Sequence, residues 1–335
     1  MNIEELTLKQ KISQMFITGF SGNYVFNRNF CDLLQNGLGG VIFFSHNIDS
    51  EKQIKELISS LNKKALIPPF MSIDQEGGRV ERTEKIHKGK KYLSAKNAYE
   101  MGISFLQDQT KQIALELKSY GFNMNFAPVL DVNTNEENPI IGERAFSNKV
   151  DEVIAASKVV IKEYEKYKIM TVGKHFPGHG ASNSDSHKTL PLIDLHITDL
   201  MENHIQPFEE AIKVGIPAIM VAHVLYPALE DEILPASVSK QIIHDLLIDN
   251  LSFNGIIITD DMEMNGIKGV SRLEACIKAI NAGVNMFIYR DTTKDIYNLI
   301  NDIEKAVING LISEENINTS VEKILQTKQQ YGIIQ

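Results

Sequence analysis

The sequence has two cysteines and no tryptophan among its 335 residues. Cys31 and Cys276 stand far apart along the chain, so we expect two unpaired thiols and neither a disulfide framework nor a zinc ribbon. Proteins that grip long polysaccharides often use indole side chains as binding platforms. The lack of tryptophan therefore weakens an interpretation of that kind.

Excess basic charge and long apolar runs are also missing. A net charge of −9 argues against nonspecific nucleic-acid binding, which needs a basic surface. No uncharged apolar stretch reaches the roughly 18 residues that span a bilayer. The first residues, MNIEELTLKQKISQMF, lack the basic region and apolar run of a signal peptide. We therefore expect a cytoplasmic protein with no nucleic-acid or membrane partner; no sequence feature predicts its oligomeric state.

What the sequence does contain is an alternation of short β-branched runs with longer helical patterns, which is typical of βα units and a parallel sheet. The eight candidate strands are 14–20, 39–44, 69–74, 122–132, 169–175, 217–223, 255–261 and 284–289. The candidate helices between them are 51–64, 95–120, 151–167, 199–214, 238–252 and 271–282.

Eight strands is the number that closes a (β/α)8 barrel. We therefore predict an α/β fold, a TIM-type (β/α)8 barrel, with residues 1–335 forming one domain that ends in a helical segment. A doubly wound open sheet is the structural alternative. It would need a phosphate-binding glycine turn after the first strand, and TGFSGN does not have that glycine spacing.

Polar residues follow five of the predicted strands, where a barrel of this type builds its site. These segments read DQEGGRVER, DVN, GKHFPGHG, AH and TDD. In the last, Asp260 and Asp261 follow an apolar run, and side chains alternate in direction along a strand, so the two carboxylates should differ in role. One can face the barrel mouth as a nucleophile while the other orients the following loop. Alternatively, both only cap the next segment.

The segment KHFPGHGASNSDSH, residues 174–187, contains three histidines. A metal site built from His175, His179, His187 and Asp185 is disfavoured, because Pro177 and the glycines oppose the helix that would bring the first two histidines together. The segment does not match a phosphate-binding loop either, and we expect no metal and no cofactor. Asp185 and His187 fall on one side of an extended loop, where the carboxylate could stabilise a protonated imidazole for acid/base chemistry. Such a pair also suits a solvated polar loop.

Five motifs occur in order: IDQEGGRVER, FAPVLDV, IGERAF, KHFPGHG followed by DSH, and ITDDMEM. Together they resemble glycoside hydrolase family 3, specifically its β-N-acetylglucosaminidase branch, from the first predicted strand to the eighth. The resemblance implies retaining hydrolysis through a covalent glycosyl-enzyme intermediate. It implies Asp260 as the nucleophile, His187 as the acid/base and Asp185 as the residue that orients and tunes His187. Most retaining glycosidases use a second carboxyl group instead of a histidine.

The resemblance also implies five substrate-binding residues: Asp74, Arg82, Arg144, Lys174 and His175. Two of them keep a structural alternative. Arg144 could pair only with Glu143 or Asp131, and Lys174 could be only a member of a buried ion pair. His179 is interpreted as structural, bracing the loop, and His223 as a candidate for the pocket wall.

Many family 3 β-glucosidases carry a second α/β domain that supplies an acid/base carboxylate. This sequence ends soon after the eighth predicted strand, so we expect Asp185 and His187 to take that role. This favours the N-acetylglucosaminidase branch. Asn285 stands where relatives often have aspartate, and we attach no functional loss to it.

The leading hypothesis is an exo-acting β-N-acetylglucosaminidase, or β-N-acetylhexosaminidase. By the resemblance it would remove terminal GlcNAc from peptidoglycan-derived muropeptides during cell-wall recycling. One alternative is a phosphorylase with the same nucleophile and histidine. Another is a non-catalytic sugar-binding barrel. The aglycone and the tolerance for GalNAc are not predicted by the sequence.

Overall fold

Eight parallel strands pair in chain order and close into a barrel in the computed structural model. The structure describes residues 3–24, 28–87, 91–183, 190–264, 271–290 and 294–335. The strands are β1 (Phe16–Thr18), β2 (Gly40–Phe43), β3 (Phe70–Ile73), β4 (Met124–Asn125), β5 (Met170–Phe176), β6 (Ala218–Val221), β7 (Ile256–Asp261) and β8 (Met286–Tyr289). The predicted TIM-type (β/α)8 barrel is thus confirmed.

The barrel closes between β1 and β8, where Ile17 lies opposite Ile288. On its other side Ile17 lies opposite Gly40 of β2. A Cβ atom on Gly40 would stand 2.8 Å from the Ile17 side chain, so this contact requires glycine. Nearly every strand residue is buried, as expected for a parallel sheet that is packed inside and covered by helices outside.

One helix precedes β1, and the others lie between the strands and after the last one. They are α1 (Leu8–Gln14), α2 (Arg28–Gln35), α3 (Glu51–Lys64), α4 (Ala95–Glu100), α5 (Ile103–Tyr120), α6 (Val150–Lys166), α7 (Ile197–Asp199), α8 (Gln206–Lys213), α9 (Arg272–Ala282), α10 (Lys294–Ile308) and α11 (Glu314–Gln330). Wider π-helical turns form Leu200–Ile205, between α7 and α8, and Gln241–Asn250 before β7. Short 3-10 turns form Ile3–Glu5, Ser45–Asn47, Glu84–Ile86, Gly142–Arg144 and Ala236–Val238. None of the helices in the described part of the chain has the length and apolar character needed to cross a bilayer.

Local sequence signals account for several helix ends. The side chain of Ser50 accepts a hydrogen bond from the backbone of Gln53 at the start of α3, which is a typical N-cap. Helices α5 and α9 end at Gly121 and Gly283, both in the left-handed conformation that glycine adopts without strain.

Two predicted elements are wrong in extent. The strand expected over 122–132 is regular only at Met124–Asn125, and beyond it Val129 pairs with Lys174 of β5 as an isolated parallel bridge. The helix expected over 95–120 is interrupted at Gly102, whose φ of 104° is incompatible with a continuous helix. Helices α1 and α2 were not predicted.

Helix α11 buries a lysine at the amino-terminal end of the barrel. Lys328 is fully buried, and its Nζ donates to Oε1 of Gln14 at 2.9 Å. The same nitrogen lies 5.2 Å from the ring centre of Phe70, the first residue of β3. Burial lowers the pKa of Lys328 from 10.5 to about 7. The folded state therefore holds this proton less tightly than the unfolded chain does.

We expect Lys328→Met to raise the free energy of unfolding at pH 7 by about 1–4 kcal/mol, because it removes a buried charge without a carboxylate partner. Between pH 7 and 10.5 the unfolded chain binds more protons at this site than the folded chain, so wild-type stability should rise across that interval. The variant should lack this rise. Denaturant unfolding at both ends of the interval measures this rise in stability. The control is Lys52→Met, which replaces an exposed lysine of α3. A variant less stable than wild type at pH 7 contradicts the prediction.

Candidate active site

A cavity of about 220 Å³ opens at the carboxyl ends of the barrel strands. Six of the eight predicted site residues line it: Asp74, Arg82, Arg144, Lys174, His175 and Asp260. They come from the ends of β3, β5 and β7 and from the loops after β3 and β4. The other two, Asp185 and His187, lie outside the described residues.

Apolar side chains complete the cavity wall. They include Phe44, Phe126, Met220, Met264 and Ile288, and sequence reasoning missed all of them. Phe126 and Met264 belong to the motifs FAPVLDV and ITDDMEM, and the other residues were signalled only by their place in or next to a strand. The cavity is smaller than the roughly 300–1,000 Å³ of pockets for drug-sized ligands. The cavity therefore suits a small polar ligand that has one apolar face.

Charges of alternating sign form a row along one side of the cavity, which we call the charge row: Arg82, Asp74, Lys174, Glu76 and Arg144. Arg82 lies 3.7 Å from Asp74, and Nζ of Lys174 lies 2.8 Å from Asp74 and 2.6 Å from Glu76. Arg144 donates from Nε and a terminal nitrogen to the two oxygens of Glu76, both at 2.8 Å. Lys174 is thus both a buried ion-pair member and a residue of the cavity wall.

Glu76 is the member of the charge row that sequence reasoning missed. Arg144 pairs with Glu76, and the alternative pairing with Glu143 or Asp131 is wrong. Burial by itself would raise the pKa of Glu76, but the charges of Arg144 and Lys174 outweigh it and hold the pKa well below its usual range. Glu76 is therefore ionised. The signal was present in DQEGG, where it stands two residues after Asp74.

Asp131 connects the end of β5 with the segment that follows it. This fully buried carboxylate lies 2.6 Å from Nδ1 of His175, and it accepts hydrogen bonds from the backbone N–H groups of His175 and His179. Burial raises the pKa of Asp131, but the neighbouring His175 and these hydrogen bonds outweigh it and lower the pKa. The imidazole of His175 is thereby fixed in orientation at the cavity wall.

His179 has a structural contact and also a place in the cavity wall. Its carbonyl oxygen accepts a hydrogen bond from Asn138 at 2.9 Å, besides the backbone contact with Asp131. Burial lowers the pKa of its imidazole, so the ring is neutral at pH 7.

The two carboxylates that end β7 have different surroundings. Asp261 accepts hydrogen bonds from the backbone N–H groups of Glu263 and Arg290, and it lies 3.4 Å from Nε of Arg290. It thus holds the turns after β7 and β8 together. Asp260 accepts a hydrogen bond from the backbone of Asp261 at 2.8 Å and lines the cavity. Burial raises the pKa of Asp261, and the negative charge of Asp260 adds to that effect.

His223 lies behind this wall. The cavity formed by the described residues does not include it, so its expected place in the pocket is wrong. Its Nε2 lies 3.1 Å from the carbonyl oxygen of Asp261, and its Nδ1 lies 2.6 Å from the hydroxyl of Ser237. Burial lowers its pKa. The neutral ring therefore donates from Nε2 to Asp261 and accepts at Nδ1 from Ser237, which fixes the backbone beside Asp260.

One group of described side chains has the spacing of metal ligands. His244, Asp245 and Asp249 lie on the outer π-helical segment Gln241–Asn250, with ligand atoms within 4.8 Å of one another. Within the described part of the chain, no such group includes His175 or His179.

A family model described as the N-terminal domain of glycosyl hydrolase family 3 matches residues 7–327. The chain belongs to glycosyl hydrolase family 3. The family resemblance carried by the five motifs is thereby confirmed.

The chain is similar to two proteins named β-hexosaminidases and to a solved β-N-acetylglucosaminidase. The chain is 32% identical to β-hexosaminidase A of Pseudoalteromonas piscicida over 317 residues, which are 87% of this chain and 53% of that protein. It is 32% identical to a β-hexosaminidase of Nitrosomonas eutropha over 265 residues, which are 75% and 73% of the two chains. A family 3 β-N-acetylglucosaminidase structure from Paenibacillus sp. FPU-7 superposes with a TM-score of 0.93 at 34% identity, covering 98% of this chain and 63% of that one. The chain thus spans about half of the first relative and under two thirds of the third.

Asp131→Asn should lower the free energy of unfolding at pH 7 by about 2 kcal/mol, because hydrogen bonds to a charged acceptor are lost. The folded-state pKa of Asp131 lies below its ordinary value of 3.8, so its stabilisation is present above that pH and is lost as the pH falls through the lowered pKa. The two proteins should converge in stability in acid. Denaturant titrations across this range measure the difference, with exposed Asp108→Asn on α5 as control. A difference that does not shrink in acid would argue against an ionised Asp131.

Proposed function

We propose that this family 3 barrel is a β-N-acetylglucosaminidase that hydrolyses terminal β-linked GlcNAc. The observation that carries the proposal is one cavity lined by the expected nucleophile, Asp260, and by all five expected sugar-binding residues. The relatives in Pseudoalteromonas and Nitrosomonas are named β-hexosaminidases, and the Paenibacillus structure is a β-N-acetylglucosaminidase. We propose that residues 1–335 form one catalytic domain with a C-terminal helical segment.

In the proposed reaction the Asp260 carboxylate attacks the anomeric carbon while His187 donates a proton to the departing glycosidic oxygen. A covalent glycosyl-enzyme forms, and neutral His187 then takes a proton from the water that hydrolyses it, so the anomeric configuration is retained. Asp185 would orient His187 and favour its protonated form. Proton transfer of this kind contributes roughly 10²- to 10⁴-fold to the rate. The assignments of Asp185 and His187 rest on the sequence motif alone.

The charge row and His175 would hold the sugar. Ionised groups make stronger hydrogen bonds than neutral ones, and both ends of the row reach the cavity wall at Arg82 and Arg144. A cavity of about 220 Å³ suits one terminal sugar unit, which supports an exo-acting enzyme. We further propose, on the family resemblance, that the natural substrate is a GlcNAc-containing muropeptide from peptidoglycan, processed in the cytoplasm during cell-wall recycling.

Asp260→Ala should reduce hydrolysis of an aryl β-GlcNAc by at least about 10³-fold, because removal of a nucleophile abolishes the covalent step. His187→Ala should lose activity as well. Exposed Asp249→Asn is the matched control and should retain wild-type kcat and KM. Full activity in the Asp260 variant overturns the assignment.

In the same assay, NMR of the first-formed sugar should show the β-anomer, as retention requires.

A panel of aryl β-glycosides of GlcNAc, GalNAc, glucose and xylose, each with and without phosphate, tests the substrate and the acceptor. We expect GlcNAc to be the preferred glycoside and free GlcNAc to be the product in both conditions. Formation of GlcNAc-1-phosphate would identify a phosphorylase. Binding of GlcNAc without turnover of any glycoside would identify a sugar-binding barrel.

A further inference from the structure

Glu76 occupies a different position from the other four members of the charge row. Asp74, Arg82, Lys174 and Arg144 all line the cavity, whereas Glu76 does not, and its side chain is only 3% exposed. It nevertheless contacts both cations that lie next to it in the row. Oε1 accepts from Lys174 at 2.6 Å and from Arg144 at 2.8 Å, and Oε2 accepts from Nε of Arg144 at 2.8 Å.

These contacts leave donors on both cations for a ligand. A guanidinium has five N–H groups, and Arg144 directs two to Glu76 and one to the carbonyl oxygen of Ile140. Lysine has three, and Lys174 directs one to Asp74 and one to Glu76. Two N–H groups of Arg144 and one of Lys174 therefore make no contact with another described residue, and both side chains line the cavity.

A fixed direction for these donors has a physical consequence. Arginine and lysine side chains have many rotamers, and a ligand that must order them loses part of its binding free energy. The two-pronged contact of Glu76 with Arg144 removes that freedom beforehand, and the shared oxygen sets the distance between Arg144 and Lys174. Glu76 also balances charge where two cations would otherwise repel each other.

We propose that Glu76 is a positioning residue for sugar binding: from behind the cavity it aligns Arg144 and Lys174 with the hydroxyl groups of the terminal GlcNAc. This inference rests on the proposed function. It assigns Glu76 no contact with the substrate. A residue that only stabilises the fold would change the thermal midpoint and leave the KM of the folded enzyme unaltered.

The test is Glu76→Gln, which keeps the shape of the side chain and removes its charge, assayed with an aryl β-GlcNAc. Carboxylates that orient metal-binding side chains typically matter by about tenfold to a hundredfold. By analogy we expect KM to rise by about tenfold or more with a much smaller change in kcat. The inhibition constant of free GlcNAc should rise by a similar factor. Glu143→Gln is the matched control, because this exposed carboxylate is adjacent to Arg144 and forms no ion pair with any described residue.

Thermal unfolding and circular dichroism show whether the variants are folded under assay conditions. If Glu76→Gln does not fold, Glu76→Asp is assayed instead. Aspartate keeps the charge, but its shorter side chain cannot contact both cations, so we expect KM to rise more than about threefold. A folded Glu76→Gln protein, or failing that a folded Glu76→Asp protein, with wild-type KM and inhibition constant overturns the inference. A wild-type enzyme that hydrolyses none of the aryl glycosides overturns the proposed function instead, so the two failures are distinguishable.

Discussion

The parallel pairing of β1 with β8 is the constraint on which the site depends. Because the sheet closes, the carboxyl ends of β3, β5 and β7 face a common centre, although Asp74 and Lys174 are 100 positions apart in sequence and Asp260 lies 86 positions beyond Lys174. An open sheet would spread the same side chains along one edge. The close approach of Ile17 to Gly40 shows how tightly β1 also packs against β2, its other neighbour in the barrel.

Within the closed barrel, charges of opposite sign stabilise one another where water is scarce. A buried carboxylate or ammonium group is costly alone, and each member of the charge row has a neighbour of opposite sign. The row therefore holds several ionised groups at one wall of a small cavity. The neutral, hydroxyl-rich sugar of the proposed function would leave no charge of this row unpaired on binding.

The sequence predicted the barrel because strand periodicity is a local signal. The six site residues that line the cavity were predicted by the family resemblance, which the polar residues after the strands support. Sequence reasoning failed at some element ends and at residues whose partners are distant in sequence. The regular part of β4 is shorter than predicted, and Gly102 divides a helix whose apolar pattern continues through it. Glu76 was missed because its function is to contact Arg144, 68 positions away. His223 was misplaced because its strand-end position resembled that of a wall residue, whereas its ring packs against the backbone of Asp261.

The contacts of Asp131 restrict which amino acids can occupy its position. Its two oxygens receive an imidazole and two backbone N–H groups from one short stretch of chain, between His175 and His179. Asparagine would present an N–H₂ group to one of these donors, and the extra methylene of glutamate would displace the carboxylate from the positions that meet all three donors. We therefore expect almost no substitution to be tolerated at position 131, even though this side chain is fully buried and does not line the cavity.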